Sequence, residues 1–533
     1  MTSPSTERPH AWRRLPGRPS ADWASRTSWW WPALATLLLG LWHIDRPELW
    51  RDELSSLSIA SRGVGQMLAT ARNTDGAELP YYFLLHYWIA AFGSSVLSLR
   101  LLSVLAMAGA AAFVTLAARR LAGTRPAITA GLVFAVIPSV SRFAQEVRFY
   151  ALTMLMAALA TWLLTRALDR PSWARWVGYA VAMTALGYSD LVAMSLLVGH
   201  GAWAALRWWR ERKLRLVAGF AASAVVGVAL CVPLILIGSK EAAAQVGWVE
   251  HLGLHPVRWW DFDSNLFYSW AAAAVVPVLA ALAWLSRKDR RVVGYLTVAV
   301  LGPIAAVWLY SLGPISYLFA RYVMFTLIGV SILVGITASW LGSRLGSRLG
   351  SRTVHVPAIA AVVLVAALGV SDQIQVRGAD AHNWVGYPYS TVVAGSFDWV
   401  EASRIVGENA EPGDGIAYTD NQTSWEQVNL GLSYYLPDYL RKGVPEPRVL
   451  FTAKTAAQSD GLYPVPCAQP ERCIGDESRV WLVGGSLPPD PLTLVLPAEA
   501  NVLRQRYTVS RTWNVGSNMS VVLLTRTTAT AKR

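Results

Sequence analysis

Apolar runs long enough to cross a membrane recur along the first two thirds of the chain. A helix needs about 20 mostly apolar residues to cross the ~30 Å hydrocarbon core of a bilayer, and eleven runs meet or approach that length. The pattern therefore predicts a polytopic α-helical membrane protein with about eleven transmembrane helices. The runs occupy residues 28–44, 97–118, 126–142, 149–168, 173–188, 190–207, 215–238, 264–286, 292–312, 317–341 and 354–372.

Basic residues fall in alternate loops between these runs. Short loops rich in Lys and Arg face the cytoplasm, and with eleven spans all the basic loops lie on that one side. We therefore expect a multi-pass protein of the plasma membrane, with a cytoplasmic N-terminus and an extracytoplasmic C-terminus. Residues 1–27, rich in Pro, Ser and Arg, are predicted to be a disordered cytoplasmic arm. The basic clusters lie at 13–26, 119–125, 166–175, 207–215, 287–291 and 344–352.

Composition agrees with a membrane protein and argues against a nucleic-acid partner. The 533 residues are 54% hydrophobic and 15% charged, whereas soluble domains have about 25% charged residues. The net charge of +13 could indicate polyanion binding. Because the basic residues follow the alternation of the loops, topology explains the charge instead, and membrane lipids are the expected surroundings.

The last third of the chain changes character. Short mixed runs punctuated by Gly and Pro, and the β-like run Ser520–Thr525, predict a soluble extracytoplasmic domain of α/β or α+β class over residues 373–533, after a membrane domain over 28–372. Cys467 and Cys473 form an even pair in this tail. A small disulfide loop is expected there, and a zinc site is the poorer alternative because the tail offers no pair of His ligands.

Two adjacent carboxylates follow the first predicted span. Ionised groups at the rim of a membrane bundle are candidates for chemistry, and a carboxylate is a usual base for removing a proton from a sugar hydroxyl. Asp52 and Glu53 are therefore the candidate catalytic residues, with Trp50 as a platform. The structural alternative is that Asp52 is only the N-cap of a helix that starts near Leu54.

Two further polar clusters lie on the same predicted side. Glu146, Arg148 and Tyr150 stand in one short loop, and an arginine and a tyrosine at the rim suit a lipid phosphate. An ion pair within an aromatic belt is the alternative. The pair Arg321-Tyr322 is a second candidate phosphate contact, and the alternative there is an arginine that reaches out to lipid headgroups.

The sequence gives no support for a histidine metal site or for nucleotide binding. His251 and His255 are four residues apart, but nothing marks a helix there and Pro256 follows, so a metal site from the histidines is not expected. The chain has no Gly-rich phosphate loop and no Gly-x-Ser-x-Gly sequence. Nucleotide-fuelled transport and the use of cytoplasmic nucleotide sugars therefore have no support from motifs.

Four motifs, in their order and loop placement, resemble one family. They are Leu49–Glu53, Asp75 with Pro80–Trp88, Gln145–Tyr150 and Arg321-Tyr322. Together they resemble the GT-C superfamily of integral membrane glycosyltransferases, in the branch of the protein O-mannosyltransferases and the bacterial aminoarabinose lipid A transferases. The resemblance covers roughly residues 28–340, and the Arg-rich and Ala-rich style is similar to that of actinobacterial proteins.

The resemblance implies a polyprenyl-phosphate-linked sugar as donor and transfer on the external face with inversion. It places Asp52 at the position of the catalytic acid residue, with Glu53 beside it. Glu146, Asp75 and His86 fall near the acceptor or a metal, and the donor-binding residues are Arg148, Tyr150, Arg321 and Tyr322. The one candidate cofactor is a divalent cation, Mg or Mn. Many relatives have His-Pro-Pro or Lys-Pro-Pro after the loop aspartate, where this chain has Gly76–Pro80.

The sequence thus predicts a mannosyltransferase-like hexosyl- or pentosyltransferase. It would move a sugar from the lipid-linked donor to a hydroxyl of a glycan, lipid or protein acceptor in cell-envelope glycan, lipoglycan or glycoprotein assembly. The alternative from another class is a transporter or flippase of a lipid-linked sugar, which would bind through the same rim charges. An internal repeat and paired broken spans, common in transporters, are not evident in the sequence.

Overall fold

The fold is a helical bundle followed by a mixed α/β domain. The structure, a computed structural model, describes residues 28–379, 384–385, 394–419 and 427–527, so the predicted arm 1–27 lies outside the described residues. The bundle contains the helices α1 Trp30–Leu41, α2 Arg51–Ala60, α3 Val64–Thr70, α4 Leu79–Phe92, α5 Val96–Ala122, α6 Thr124–Val136, α7 Pro138–Ala144, α8 Tyr150–Asp169, α9 Trp173–Ser189, α10 Leu196–Glu211, α11 Leu214–Val246, α12 Pro256–Phe267, α13 Trp270–Ala281, α14 Arg290–Tyr310, α15 Leu327–Leu349, α16 Val356–Leu368 and α17 Val370–Gln375.

The apolar helices match the predicted spans. By length and composition, six helical segments among the described residues can cross a membrane, or eight if each of two bent pairs is one span. Every one of the eleven predicted runs coincides with a helix, although α1, α9 and α10 have only 12, 17 and 16 residues. The chain is a polytopic helical membrane protein. The count of eleven and the orientation of the termini stay predictions.

Each of the two bent pairs breaks at a residue with a non-helical backbone conformation. Helices α6 and α7 meet at 64°, where Ile137 is extended before Pro138, because a proline disfavours the helical conformation in the residue that precedes it. Helix α12 and the segment that starts with α13 meet at 91° around Tyr268, whose φ is +53°. Both breaks allow polar side chains near the bend to face other elements of the bundle.

Helix α11 is longer than a bilayer is thick. Its 33 residues span about 50 Å, so its last turns extend beyond the hydrocarbon region. The Glu241 carboxylate accepts the backbone N–H of Gly76 at 3.1 Å with each of its oxygens, and Gln245 donates to Asp75 at 2.5 Å. The end of α11 thereby holds the loop that precedes α4.

The C-terminal domain is built on a five-stranded sheet. Strand β3 (Gly415–Tyr418) pairs in parallel with β4 (Arg448–Val449) and β7 (Arg479–Gly484), while β9 (Met519–Arg526) pairs antiparallel with β7 and β8 (Tyr507–Val515). Two small antiparallel pairs complete the strands, β1 Trp384–Val385 with β2 Ala394–Ser396, and β5 Thr452–Lys454 with β6 Val465–Pro466. The helices of this part are α18 Trp399–Asn409, α19 Val428–Tyr435, α20 Pro470–Cys473 and α21 Pro497–Arg506.

The two faces of this sheet bury different cores. Side chains alternate along a strand, so Trp481 and Val483 of β7 face one side and Val480 and Leu482 face the other. The first pair belongs to the same continuous apolar core as the membrane bundle, and the second pair packs in a separate core with α21. The domain is therefore packed directly onto the bundle by one face. Cys467 and Cys473 form a disulfide, with their Cα atoms 6.5 Å apart.

Candidate functional site

Helix α2 presents the two candidate carboxylates, and it begins earlier than the capping alternative assumed. Trp50 is the extended N-cap residue, and the carboxylate of Glu53 accepts the backbone N–H of Trp50 at 3.2 Å. Asp52 therefore lies inside the first turn and is not the N-cap. Both carboxylates also lie at the positive end of the helix dipole, which favours their ionised form.

Glu53 is fully buried and makes structural contacts with three elements. Arg100 of α5 donates to it through Nε at 3.0 Å and a terminal nitrogen at 2.8 Å, and Val147 donates its backbone N–H at 2.9 Å. Arg100 also donates to the carbonyl oxygens of the loop that leads into α2. The pair fixes α2, α5 and the 145–149 segment against one another, so the geometry gives Glu53 a positioning role.

Asp52 is the carboxylate that faces the cluster of arginines. It lies 3.2 Å from Arg51 and 3.9 Å from Arg321, and a fifth of its side chain is exposed. Burial alone would raise the pKa of Asp52, but the guanidinium groups of Arg51, Arg148 and Arg321 together have the larger, opposite effect. The pKa of Asp52 is therefore lower than that of an ordinary aspartate. Asp52 is therefore ionised at neutral pH and can accept a proton.

Arg148 also lies near Asp52. It is paired with Glu78 at 2.6 Å and lies 3.4 Å from the hydroxyl of Ser56, one turn beyond Asp52 on α2. Its Nε is buried and has no hydrogen-bond partner among the described residues. A buried donor without a partner costs about 1–3 kcal/mol, so an anion that accepted from this nitrogen would bind favourably.

Arg321 is enclosed by aromatic rings. A guanidinium group within about 6 Å of an aromatic ring face is attracted by the ring electrons, and the rings also hold the group in place. The side chain is one tenth exposed and approaches Asp52 from beyond the ring of Trp50. The distances from its guanidinium carbon to the ring centroids are 5.9 Å for Trp50, 5.5 Å for Tyr150, 6.0 Å for Trp248, 5.2 Å for Phe319 and 5.6 Å for Tyr322.

Two buried tyrosine hydroxyls complete this group of donors. The hydroxyls of Tyr81 and Tyr150 have no hydrogen-bond partner among the described residues, although both rings are almost fully buried. Tyr81 interacts electrostatically with Arg148, and Tyr150 lies beneath Arg321. Two arginines near two phenol hydroxyls that have no partner among the described residues make an environment suited to the charge of a phosphate.

Glu146 is fully buried and contacts Trp50. It accepts the indole N–H of Trp50 at 3.2 Å and forms an ion pair with Arg142 at 2.6 Å. Burial raises the pKa of Glu146, and the nearby Glu53 adds to this, whereas Arg142 opposes it. The arrangement fixes the plane of the Trp50 ring, which is the platform predicted for a sugar.

Asp75 belongs to a second carboxylate group above Arg148. Tyr82 donates its hydroxyl to either Asp75 or Glu78, each at 3.0 Å, and Gln245 holds the other oxygen of Asp75. Burial raises the pKa of Asp75 and of Glu78, while Arg148 opposes the rise in both. Repulsion from Glu241 and Asp52 raises the pKa of Asp75 further, and repulsion from Asp75 does the same for Glu78. Asp75 has a φ of +53°, a backbone conformation that costs about 1 kcal/mol for a residue with a side chain.

His86 lies at the end of α2 away from Asp52, and the described residues form no evident metal site. The imidazole of His86 is hydrogen-bonded to the carbonyl of Ala60 at 2.7 Å, at the far end of α2. No group of three or more His, Cys, Asp or Glu side chains in the described ranges is placed to hold a metal ion. The role of His86 near an acceptor and the divalent cation, Mg or Mn, stay predictions.

The structure adds residues that the sequence analysis did not select. Arg100, Glu78, Tyr81 and Arg142 all contact the predicted residues or lie beside them. For Arg100 a signal was present, because it is an ionisable residue inside a predicted span, which is a costly position without a function. The others could not be found from the sequence, because their contacts form only in the folded protein; Glu78 and Arg148, for example, are far apart in the chain.

Comparisons with known proteins show a similar fold and a matching family model over part of the chain. Residues 79–237 match the family model described as dolichyl-phosphate-mannose-protein mannosyltransferase. The crystal structure of ArnT from Cupriavidus metallidurans bound to undecaprenyl phosphate has 14% identity and a TM-score of 0.53, over 92% of this chain and 97% of that one. The apo form of ArnT has 14% identity and a TM-score of 0.51, over 95% and 98%. At these identities the likeness shows the fold. No curated protein matches the chain in sequence.

Proposed function

We propose that the chain is a member of the GT-C superfamily of integral membrane glycosyltransferases and that it transfers a sugar from a polyprenyl-phosphate-linked donor to an acceptor hydroxyl at the external face of the membrane. One observation supports this proposal above the others. An ionised carboxylate, Asp52, lies near Arg148 and Arg321. Near these two arginines are two buried phenols whose hydroxyls have no hydrogen-bond partner among the described residues. A base and an anion site are the two parts that such a transfer needs.

The proposed reaction is a single displacement at the anomeric carbon. Asp52 takes the proton of the acceptor hydroxyl, and the acceptor oxygen forms a bond to the anomeric carbon. The bond between that carbon and the phosphate oxygen breaks, and the polyprenyl phosphate leaves with the electron pair. Since attack and departure occur on opposite faces of the sugar ring, the configuration inverts. The pKa of Asp52, lowered by Arg51, Arg148 and Arg321, keeps the base ionised before each turnover.

The leaving phosphate is the part of the donor that the protein has to stabilise most. Arg148 and Arg321 would hold its charge, and Tyr81 and Tyr150 would donate hydrogen bonds from the buried side. Preorganised donors in a cleft that excludes water give the largest contribution to many enzyme rates. Glu78 would keep Arg148 oriented before the donor binds. The divalent cation is not assigned a step, because the described side chains form no cage for one.

The sugar would lie between the phosphate site and α2. Trp50 offers an aromatic face there, held in place by its indole bond to Glu146. Glu53 and Arg100 then maintain the angle at which α2 presents Asp52. The proposal names the sugar and the acceptor only as classes. The donor sugar is a hexose, such as mannose, or a pentose, and the acceptor is a hydroxyl of a glycan, a lipid or a protein.

A transfer assay on the purified protein tests this proposal directly. The protein in nanodiscs is supplied with a radiolabelled, short-chain polyprenyl-phosphate hexose or pentose and with lipid and glycan fractions of the envelope. Appearance of label in an acceptor, with release of polyprenyl phosphate, is the expected result. Movement of the labelled lipid between leaflets without release of polyprenyl phosphate would instead support the transporter alternative. Comparison of lipid extracts from wild-type and deletion strains identifies the acceptor by the glycoconjugate that loses a residue.

A further inference from the structure

We propose that the C-terminal domain is a positioning element of the active site, acting through Tyr435 and Gln427 on the segment that presents Asp52. The inference rests on the proposed function, because it treats Asp52 as the base. It assigns to the domain an action on catalysis, beyond its packing on the bundle. The two contacts lie on either side of Asp52, at Leu49 and at Ser55.

The first contact is a hydrogen bond from the membrane part to α19. The backbone N–H of Leu49 donates to the hydroxyl of Tyr435 at 2.8 Å, and both residues are buried. Leu49 immediately precedes the N-cap residue Trp50. An N–H in this position has no partner inside a helix, so Tyr435 satisfies a group that would otherwise be left buried without a hydrogen bond. The bond fixes the point at which the chain enters α2.

The second contact reaches the same helix one turn later. The side chain of Gln427 lies 2.5 Å from the hydroxyl of Ser55, which also lies 2.9 Å from the carbonyl of Arg51. Gln427 has a φ of +53°, and a residue with a side chain in this conformation is strained by about 1–2 kcal/mol. Strain of this kind persists where the surrounding contacts require it, and it occurs preferentially at functional sites. Gln427 is thus held in place against the helix that bears Asp52.

A third contact connects the same loop to α18. The carboxyl group of Glu48 accepts the backbone N–H groups of Trp399 at 2.8 Å and Val400 at 3.3 Å, at the N-terminus of α18. Residues 48, 49 and 55 are therefore all fixed by the C-terminal domain, while Glu53 between them is fixed by Arg100. Asp52 lies within this fixed segment, and its ion-pair partners among the described residues, Arg51 and Arg321, both belong to the bundle.

These contacts determine how precisely the carboxylate of Asp52 is positioned against the acceptor hydroxyl. Catalytic groups have to be held within about 0.5 Å of the productive geometry, and a misplacement of about 1 Å can lower a rate about 100-fold. Loss of one of these three contacts is a smaller disturbance. We expect Tyr435→Phe to lower kcat about tenfold and to leave the donor KM within about twofold, because the phosphate site lies on Arg148, Tyr81 and Tyr150.

The neighbouring residue supplies a matched control. Tyr434 is on the same helix, and its hydroxyl donates to the carbonyl of Ser94 at 2.8 Å, in the loop between α4 and α5. Tyr434→Phe thus removes the same chemical group and also a bond between the two parts of the protein, but at a place away from α2. We expect its kcat to stay within about twofold of wild type.

The test measures three quantities in full-length protein in nanodiscs. The first is kcat and donor KM for both variants. The second is the effect of Tyr435→Phe in the Asp52→Asn background, where it should be less than about twofold, because a positioning residue has nothing to position once the base is gone. The third is hydrogen exchange in peptides from residues 48–60, which should rise in Tyr435→Phe and stay at the wild-type level in Tyr434→Phe.

The outcomes separate this inference from the proposed function. Equal losses of kcat in both tyrosine variants, or a tenfold loss that persists with Asn at position 52, would overturn the inference and indicate a general role in docking. An unchanged kcat for Tyr435→Phe would overturn it too. Absence of transfer by the wild-type protein would overturn the proposed function. In that case the exchange measurement still decides whether the C-terminal domain holds residues 48–60.

Discussion

Glu53 and Arg100 form a fully buried ion pair that connects the helix bearing the candidate base to the second predicted span. Two guanidinium nitrogens of Arg100 lie 3.0 Å and 2.8 Å from the two oxygens of Glu53. Arg100 also donates to the carbonyl oxygens of residues 44, 47 and 48, and Glu53 also accepts from Val147. Such a pair gives a defined geometry, because a displaced partner would leave a buried charge unpaired.

Removal of this carboxylate should destabilise the protein. Glu53→Ala leaves Arg100 buried without its counter-ion, and loss of one partner of a buried pair costs about 3–5 kcal/mol. Thermal unfolding in detergent should show a clearly lower midpoint. Glu401→Ala is the control, since its pair with Arg404 is of similar length but exposed, and it should hardly change the midpoint. Equal midpoints for the two variants would show that the Glu53 pair does not fix the fold.

Replacement of Arg148 should affect donor use. Arg148→Lys keeps a positive charge beside Glu78 but removes Nε, which is a buried donor without a partner among the described residues. A hydrogen bond to a charged group contributes about 1.5–3 kcal/mol, so the donor KM should rise about 10- to 100-fold with a smaller change in kcat. Kinetics with short-chain donors measure this. A donor KM equal to that of wild type would remove Arg148 from the phosphate site.

Two adjacent tyrosines should respond in opposite ways to loss of their hydroxyls. Tyr81→Phe deletes a buried hydroxyl without a partner, so stability should stay the same or rise by up to about 1 kcal/mol while the donor KM rises. Tyr82→Phe deletes a hydroxyl shared by Asp75 and Glu78, so the unfolding midpoint should fall. The two midpoints and the two KM values are measured together. A fall in stability for Tyr81→Phe without a change in KM would contradict the assignment.

Glu48 should make the contact with the C-terminal domain sensitive to pH. Burial, with help from the nearby Asp398, raises the pKa of Glu48 to about 8, whereas the bonds from Trp399 and Val400 lower it. The folded state therefore holds a proton that the unfolded chain releases at lower pH, and this contribution to stability is lost as pH rises towards about 8.

Glu48→Gln imitates the protonated carboxyl and should remove this dependence. The stability of the variant relative to wild type should rise between pH 5 and pH 9 by at least about 1 kcal/mol, since each pKa unit corresponds to about 1.4 kcal/mol. Unfolding midpoints across this range measure the change, with Glu408→Gln as an exposed control on α18. Parallel curves for Glu48→Gln and wild type would show that Glu48 does not retain its proton in the folded protein.

The sequence allowed the bundle to be predicted because hydrophobic length and basic loops are local signals. Each of the predicted apolar runs coincides with a helix, and the family-level resemblance rested on short motifs around Asp52, Arg148 and Arg321. The bends at Ile137 and Tyr268 were not predicted. Only the first of these has a visible cause in a proline, and the second depends on packing.

The sequence allowed the residues of the candidate site to be selected, but not the individual surroundings or roles of these residues. Asp52 and Glu53 are adjacent and of the same chemical type, so their different surroundings could not be read from the sequence. The difference arises because successive residues on a helix point about 100° apart, which turns Glu53 towards Arg100 and Asp52 towards Arg321. Glu78 and Tyr435 reach the site through tertiary contacts, for which the sequence has no local signal.

The most direct measurement is turnover of Asp52→Asn at equal membrane abundance. Asn keeps the size of the side chain and removes the proton acceptor, so kcat should fall about 10²- to 10⁴-fold while the donor KM and the unfolding midpoint change little. Glu146→Gln is measured alongside, because Glu146 is paired with Arg142 and faces Trp50. Near-normal transfer by Asp52→Asn would contradict the account and show that another carboxylate acts as the base.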